Sequence, residues 1–258
     1  MNNPEALQAS RGGPQIIPRP EDVELGGLPP WGEIAETSRR ASLELLREAL
    51  GSGSIRDKAS HISEAPSIPE ELTQGIWRKS AVLVPLYEEN GELHVVLTRR
   101  AAHLRSHSRE VSFPGGGQEE ADTSLWETAL RETREEISLG SGLVERIGQL
   151  PTFRTVGSKS LVHPFVAVIR GGRPEGLVAD LSEVEHILYV PMSELLRDDV
   201  FHEEHWKLPS IGQVTVNFFE LYGDTVWGAT AAMLRQLLAL ATGTETLSDS
   251  KHFWEQDR

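Results

Sequence analysis

The chain contains no cysteine. That excludes disulfides, thiolate nucleophiles, Cys-ligated zinc and iron–sulfur clusters, and it agrees with a reducing, cytoplasmic setting. Positive charge is in deficit: 25 Lys and Arg stand against 39 Asp and Glu, a formal net charge of -14. A surface of that sign has no general affinity for nucleic acid, which needs a basic face. It also repels anionic ligands, so a phosphate substrate would need local arginines or a metal ion. No apolar run nears the roughly 18 residues of a membrane span, and Met1–Pro20 lacks the apolar core of a secretory signal. Neither nucleic acid nor membrane is therefore expected as a partner. Aromatic residues are sparse at 6%, and no spacing among the tryptophans marks a base-stacking platform.

What the chain does have is 258 residues, 23 Gly and 15 Pro, unevenly spread. Residues 1–30 are broken by Gly and Pro at every turn and predict a disordered tail. Residues 31–75 predict one helix, from Glu33 to Leu50 and ended by Gly51, followed by a Ser/Gly/Pro linker. Its expected apolar stripe is Ile34, Ser38, Ala41, Leu45 and Ala49. The main domain is expected over 76–245, with a short tail at 246–258.

Within that domain Ser80–Tyr87 and Leu93–Thr98 predict a strand hairpin around Glu88-Glu89-Asn90-Gly91. Further strands are predicted at Val162–Ile169, Ile187–Val190 and Thr215–Leu221. Helices are predicted at Leu125–Ile137, Ser193–Leu196 and Thr230–Ala241. Strands and helices mixed without regular alternation favour an α+β fold.

The most informative stretch is Phe113–Leu139, FPGGGQEEADTSLWETALRETREEISL. At about 100° per residue, Trp126, Leu130, Thr133 and Ile137 form one apolar stripe. Glu132, Glu135 and Glu136 share another face at i, i+3, i+4, and the like-charge pair Glu132–Glu136 costs the helix roughly 0.2–0.5 kcal/mol. A divalent cation would reverse that cost, and oxygen ligands at this density suit Mg²⁺ or Mn²⁺. A plain solvated face with Glu127–Arg131 and Arg131–Glu135 pairs is the alternative. The preceding Pro114-Gly115-Gly116-Gly117 permits close backbone approach to a ligand. It is no Walker-type phosphate loop, since no Lys-Ser/Thr follows.

Gly116, Asp122 and Arg131-Glu132-Thr133-Arg134-Glu135-Glu136 resemble the Nudix box, whose usual form is Gly, five residues, Glu, seven residues, Arg-Glu-apolar-x-Glu-Glu-x-Gly. Asp122 stands for the Glu, eight residues precede Arg131, Thr133 replaces the apolar residue and Ser138 the final Gly. Upstream, Val96-Leu97-Thr98-Arg99-Arg100-Ala101, then Arg105, then Phe113-Pro114-Gly115-Gly116 resemble the LLTxR[SA]x₃Rx₃Gx₃FPGG signature of coenzyme A pyrophosphatases. Val96 and Arg109 are the departures.

The resemblance implies a Nudix fold, a mixed β-sheet sandwiched between α-helices. It implies metal-dependent cleavage of CoA or a derivative into 3′,5′-ADP and 4′-phosphopantetheine. Rival readings are a Nudix hydrolase of ADP-ribose or a related nucleoside diphosphate, and a non-catalytic nucleotide-binding module. It implies Glu132, Glu135 and Glu136 as metal ligands, with the Gly115 carbonyl added, and Arg131 orienting a ligand glutamate. Arg99, Arg100, Arg105 and Gly116 are the substrate-binding candidates, and a homodimer is expected. Asp122 either pins the loop to the helix or is a helix-start carboxylate.

Weaker signals are His202-Glu203-Glu204-His205, expected as a surface loop because its histidines lack HExxH spacing, and His103 with His107 in the arginine-rich loop. Glu183 and Glu185 are conceivable bases without an assignable role.

Overall fold

The computed structural model describes residues 11–52, 77–104, 108–155, 159–209 and 212–247. The long apolar strand β2 (Arg78–Glu89) turns at Asn90-Gly91 into β3 (Glu92–Arg100). Asn90 and Gly91 take φ of 53° and 78°, the pair of left-handed residues that a two-residue hairpin needs. Short strands β4 (Val111–Ser112) and β5 (Gly115–Gly117) follow, then helix α2 (Leu125–Ile137), α1 (Leu43–Ser52) having come earlier. β6 (Val144–Gln149), β7 (Phe153–Thr155), β8 (Ser160–Ile169) and β9 (Val184–Pro191) complete an eight-stranded sheet. Its central path is β4-β3-β2-β8-β6; β2 and β8 run parallel and the other pairs antiparallel. This is the expected mixed sheet of an α+β fold.

Alternation along β2 divides the core. Ala81, Leu83 and Tyr87 face α2, with Val96, Phe165, Ala167 and Ile137. Val84 and Leu86 face the other way, with Val95, Leu97 and Val166, against α1 and the last helix α4 (Gly228–Ala241). After the short α3 (Met192–Leu195), that second layer holds more than helices. A four-stranded antiparallel sheet lies there, in the order β1 (Val23–Leu25), β10 (Phe201–Leu208), β11 (Gly212–Leu221), β12 (Asp224–Trp227).

Three expectations are corrected here. Residues 11–30 are no loose tail: β1 pairs with β10 at Val23↔Trp206, the Gly12 N–H donates to the Leu221 carbonyl at 2.7 Å, and Ile17 and Val23 pack on Trp206 and Phe218. Gly and Pro deny this segment local structure, yet its backbone partners come from a sheet some 180 residues away. Trp31, just beyond, is fully buried, its ring 5.4 Å from Phe201 and 6.4 Å from Phe219.

The helix expected from Glu33 begins only at Leu43. The buried Arg39 guanidinium takes the carbonyls of Ile34 at 2.8 Å and Leu196 at 2.7 Å, and before Leu43 Glu36–Ser38 form only a short 3₁₀ helix. Ser42 caps the helix by accepting from the Leu45 N–H. Leu46 and Leu50, rather than Leu45, point inward, and Gly51 lies inside the helix. Third, His202–His205 sit within β10, not in a loop. The odd spacing puts the two histidines on opposite faces of the strand. Glu204 is buried, with Arg19 Nε at 2.9 Å and Trp206 Nε1 at 2.7 Å. The linker residues 53–76 lie outside the described residues.

Candidate active site

The site is built where β5 runs beside β2 and α2 crosses both. Ser124 caps α2, its hydroxyl accepting from the Glu127 N–H, and the helix ends at Ser138 in the left-handed region, φ 60°. That is the position where the resembling box carries Gly, and the reason is conformational. Thr133, the other departure, is buried with its hydroxyl donating to the Ala129 carbonyl at 2.6 Å, so an apolar slot tolerates it. The buried face of the helix is Thr128, Ala129, Thr133, Glu136 and Ile137. It is rotated from the expected stripe, since Trp126 and Leu130 are only half-buried and Glu136 is inside.

Arg131 is the hub. Its Nε and Nη2 form a fork on Asp122, each at 3.0 Å, and Nη2 also reaches the Gly117 carbonyl at 3.1 Å. Its Nη1 lies 3.0 Å from both Glu132 Oε1 and Glu135 Oε2. Asp122 also accepts from the Glu119 N–H and the Thr128 hydroxyl, both at 2.9 Å. The Arg131 fork holds the Asp122 carboxyl well below the usual carboxylate range, and Asp122 in turn raises the Arg131 guanidinium. Asp122 thus pins the loop to the helix; the cap role belongs to Ser124.

The three glutamates are not equivalent. Glu136 is buried at 4% exposure and its Oε2 accepts the Gly115 N–H at 3.2 Å. Burial pushes its carboxyl up to about 8 despite that bond and the Arg100 charge, and Glu132 and Glu183 push the same way. Burial raises Glu132 as well, against the pull of Arg131. Glu135 is half exposed. Gly116 lies tight on this cluster: a Cβ there would fall 2.5 Å from the Glu132 carboxyl carbon. Gly115, at φ 154°, would drive a Cβ to 2.3 Å from the Ala81 carbonyl. Among the described residues no three His, Asp or Glu side chains already close on one point; Arg131 and the Gly115 N–H hold the carboxylates instead. The donor set fits a hard divalent cation all the same. A buried carboxyl left without a strong counter-charge, beside a second half-buried one, and a glycine cradle are what such an ion would occupy.

The arginines separate by strand alternation. Arg100 faces α2, with Nη1 4.0 Å from Glu136 Oε1 and its Nε buried without a hydrogen-bond partner among the described residues. Arg99 points to the opposite face, where Nη1 donates to Asp224 at 3.1 and 3.2 Å. Arg100 is the fixed arginine of the LLTxR pattern and Arg99 its variable position, so the geometry and the pattern agree. The expectation that Arg99 sits with the phosphate-binding groups is corrected: it is engaged with Asp224 and Glu185. Arg105 and His107 lie outside the described residues; His103 is close to the Ser182 carbonyl at 3.1 Å. Glu183, near enough to raise Glu132 and Glu136, is brought to the site by β9 from about 50 residues away, which no local spacing reveals.

Comparison with known proteins identifies the family. Among curated relatives, the Nudix hydrolase NudL of Escherichia coli O7:K1, described as uncharacterized, is 34% identical over 169 residues, 65% of this chain and 84% of the relative. Its counterpart in Salmonella paratyphi B is 35% identical over the same length. Among solved structures, a MutT/nudix family protein from Enterococcus faecalis aligns at a TM-score of 0.45 and 18% identity, covering 77% of this chain and 74% of its own. A family model described as the NUDIX domain matches residues 77–209, the span from β2 through β10 that holds Arg100, the glycines and the glutamate helix, and the chain belongs to that family.

Proposed function

We propose that this Nudix protein hydrolyses the pyrophosphate bond of coenzyme A or a CoA derivative, giving 3′,5′-ADP and 4′-phosphopantetheine. The observation that carries the reading is Arg100, the fixed arginine of the VLTRRA segment, standing on the glutamate face 4.0 Å from Glu136. In a protein of net charge -14, a guanidinium on the glutamate face whose buried Nε has no hydrogen-bond partner among the described residues is a donor that an anionic ligand can take up.

Glu132, Glu135 and Glu136 would hold Mg²⁺ or Mn²⁺, with Gly115 supplying backbone beside them. What the cation supplies when bound is neutralisation of the diphosphate charge and a more acidic water. The remaining work falls to the chain. Arg131 keeps Glu132 and Glu135 oriented through one nitrogen while its other two nitrogens are locked on Asp122. Gly116, lacking a Cβ, lets the Glu132 carboxylate lie directly against the backbone. Arg100 binds a phosphate oxygen. Water adds to one phosphorus, the bond from that phosphorus to the bridging oxygen breaks, and the water proton passes to a carboxylate of the cluster.

The test is product chromatography after incubating the protein with CoA, ADP-ribose and a dinucleoside polyphosphate, with Mg²⁺, Mn²⁺ or chelator. Metal-dependent 3′,5′-ADP from CoA, faster than turnover of the others, is expected. Turnover of ADP-ribose alone would keep the hydrolase and remove the CoA assignment. Inertness toward all three would favour a nucleotide-binding module.

A further inference from the structure

Arg99 and Arg100 are neighbours in sequence and sit on opposite faces of β3. The pairing of β3 with β9 shifts register between them, Arg99 facing His186 and Arg100 facing Val184. The extra residue lies on β9, at Glu185, whose carboxylate stands 3.4 Å from Arg99 Nε, while Arg100 keeps the α2 face that alternation along β3 gives it. The groups that hold the shift in place lie behind the site. Arg99 is tied to Asp224, which is buried at 3% exposure. Asp224 Oδ1 accepts a second hydrogen bond, from Gln15 Nε2 at 2.9 Å.

Gln15 belongs to the N-terminal segment, outside the matched domain. Its side-chain amide is fully used. Nε2 also donates to the Arg109 carbonyl at 3.0 Å, and Oε1 accepts the Thr225 N–H at 2.9 Å. Arg109 is the residue that replaces Gly in the upstream signature, and it sits at φ 62°. A non-glycine residue there carries strain of about 1–2 kcal/mol. The next residue, Glu110, accepts the Arg100 N–H at 2.9 Å. The contacts therefore close a ring: Gln15 to Asp224 to Arg99, and Gln15 to Arg109, Glu110 and Arg100.

We propose that Gln15, acting with Asp224, is a positioning residue for Arg100. The N-terminal segment thereby sets substrate affinity from behind the sheet without touching substrate. Gln15 holds the strained Arg109 backbone and the Arg99 anchor together, so the end of β3 and the start of the following loop keep one geometry. Losing the amide releases both ends of the ring. This inference rests on the proposed role of Arg100 as a phosphate ligand.

The test compares Gln15→Ala, Gln15→Ala/Arg109→Gly and wild type, each with full chain and Mn²⁺. KM for CoA, or for whichever diphosphate substrate turns over, is expected to rise about tenfold in Gln15→Ala. In the same variant kcat stays within about twofold and Mn²⁺ affinity is unchanged, since no glutamate is disturbed. Glycine accepts φ of 62° without strain, so the double variant should recover most of the KM. An unchanged KM overturns the proposal, as does a matched fall in kcat without rescue by Arg109→Gly. Amide hydrogen exchange at Arg100 supplies a readout free of activity. It should quicken at least about tenfold in Gln15→Ala while α2 amides keep their rates. If wild type turns over nothing, the hydrolase reading falls and the exchange result alone decides the ring: unchanged exchange at Arg100 overturns it.

Discussion

The two faces of the large sheet are held by different physics. On the α2 face, charged groups are placed by a short stretch of chain: Gly115 to Glu136 contains the glycine cradle, Asp122, Arg131 and all three glutamates. On the opposite face, apolar groups from the two ends of the chain meet. Trp31, Leu46 and Leu50 pack with Phe201, Phe219 and the α4 leucines. The first face tolerates an unfavourable buried carboxyl at Glu136, and the second supplies the burial that offsets it. Substitutions should therefore separate: changes among the front-face charges alter chemistry with little loss of fold, and changes in the apolar back-face core, away from the Gln15–Asp224–Arg99 contacts, alter stability with little loss of chemistry.

The largest expected effect is on the back face. Trp31→Ala should lower unfolding stability by about 3–5 kcal/mol in denaturant titrations. Turnover per folded molecule should be unchanged. A collapse of kcat at full folding would break the comparison.

Next is Glu136→Gln. Turnover with Mg²⁺ should fall about 100-fold or more. The melting temperature at pH 8.5 should not fall, because a carboxyl that burial disfavours as an anion has been replaced by a neutral group. A marked loss of melting temperature with activity retained would move Glu136 into the structural class.

A smaller effect concerns the Asp122–Arg131 fork. Because the folded carboxyl lies below its unfolded value near 3.9, it contributes stability above about pH 4. That contribution is lost as pH falls through the folded value. The melting-temperature gap between wild type and Asp122→Asn should thus be widest above pH 4 and should close in stronger acid. A gap that is independent of pH would mean that shape rather than charge holds the loop.

The smallest is Ser138→Gly. Relief of the left-handed φ, about 1–2 kcal/mol, should outweigh the roughly 0.4–1 kcal/mol that a glycine costs through the unfolded chain, the net gain being reduced by loss of the Ser138 hydroxyl contact to the Val178 carbonyl at 3.3 Å. No change in kcat is expected; a change would show that the helix exit steers the glutamates.

What could be read from sequence follows the same division. Helix α2 runs over Leu125–Ile137 as its pattern predicts, and the β2–β3 hairpin turns at Asn90-Gly91, because both are set by neighbours along the chain. The acidic side of the helix was legible because residues at i, i+3 and i+4 share one side of any helix. Their inequality was not: which glutamate is buried depends on β5 lying across α2. Arg99 and Arg100 were indistinguishable by composition, though strict alternation along a strand would have assigned them opposite faces. The N-terminal strand and Trp31 gave no local signal at all, since a Gly- and Pro-rich segment orders only when a distant sheet supplies its hydrogen bonds.

The sequence by itself determined the family, the identity of the acidic cluster and the arginine that accompanies it, because that chemistry demands fixed residue types at fixed spacing. Tertiary structure alone decided that Arg100 faces the glutamates while Arg99 anchors on Asp224, that Glu183 lies near enough to raise Glu132 and Glu136, and that Gln15 reaches the back of the site. Those contacts join residues up to 209 positions apart, between Gln15 and Asp224, and nothing local records which distant groups a folded chain will bring within hydrogen-bonding distance.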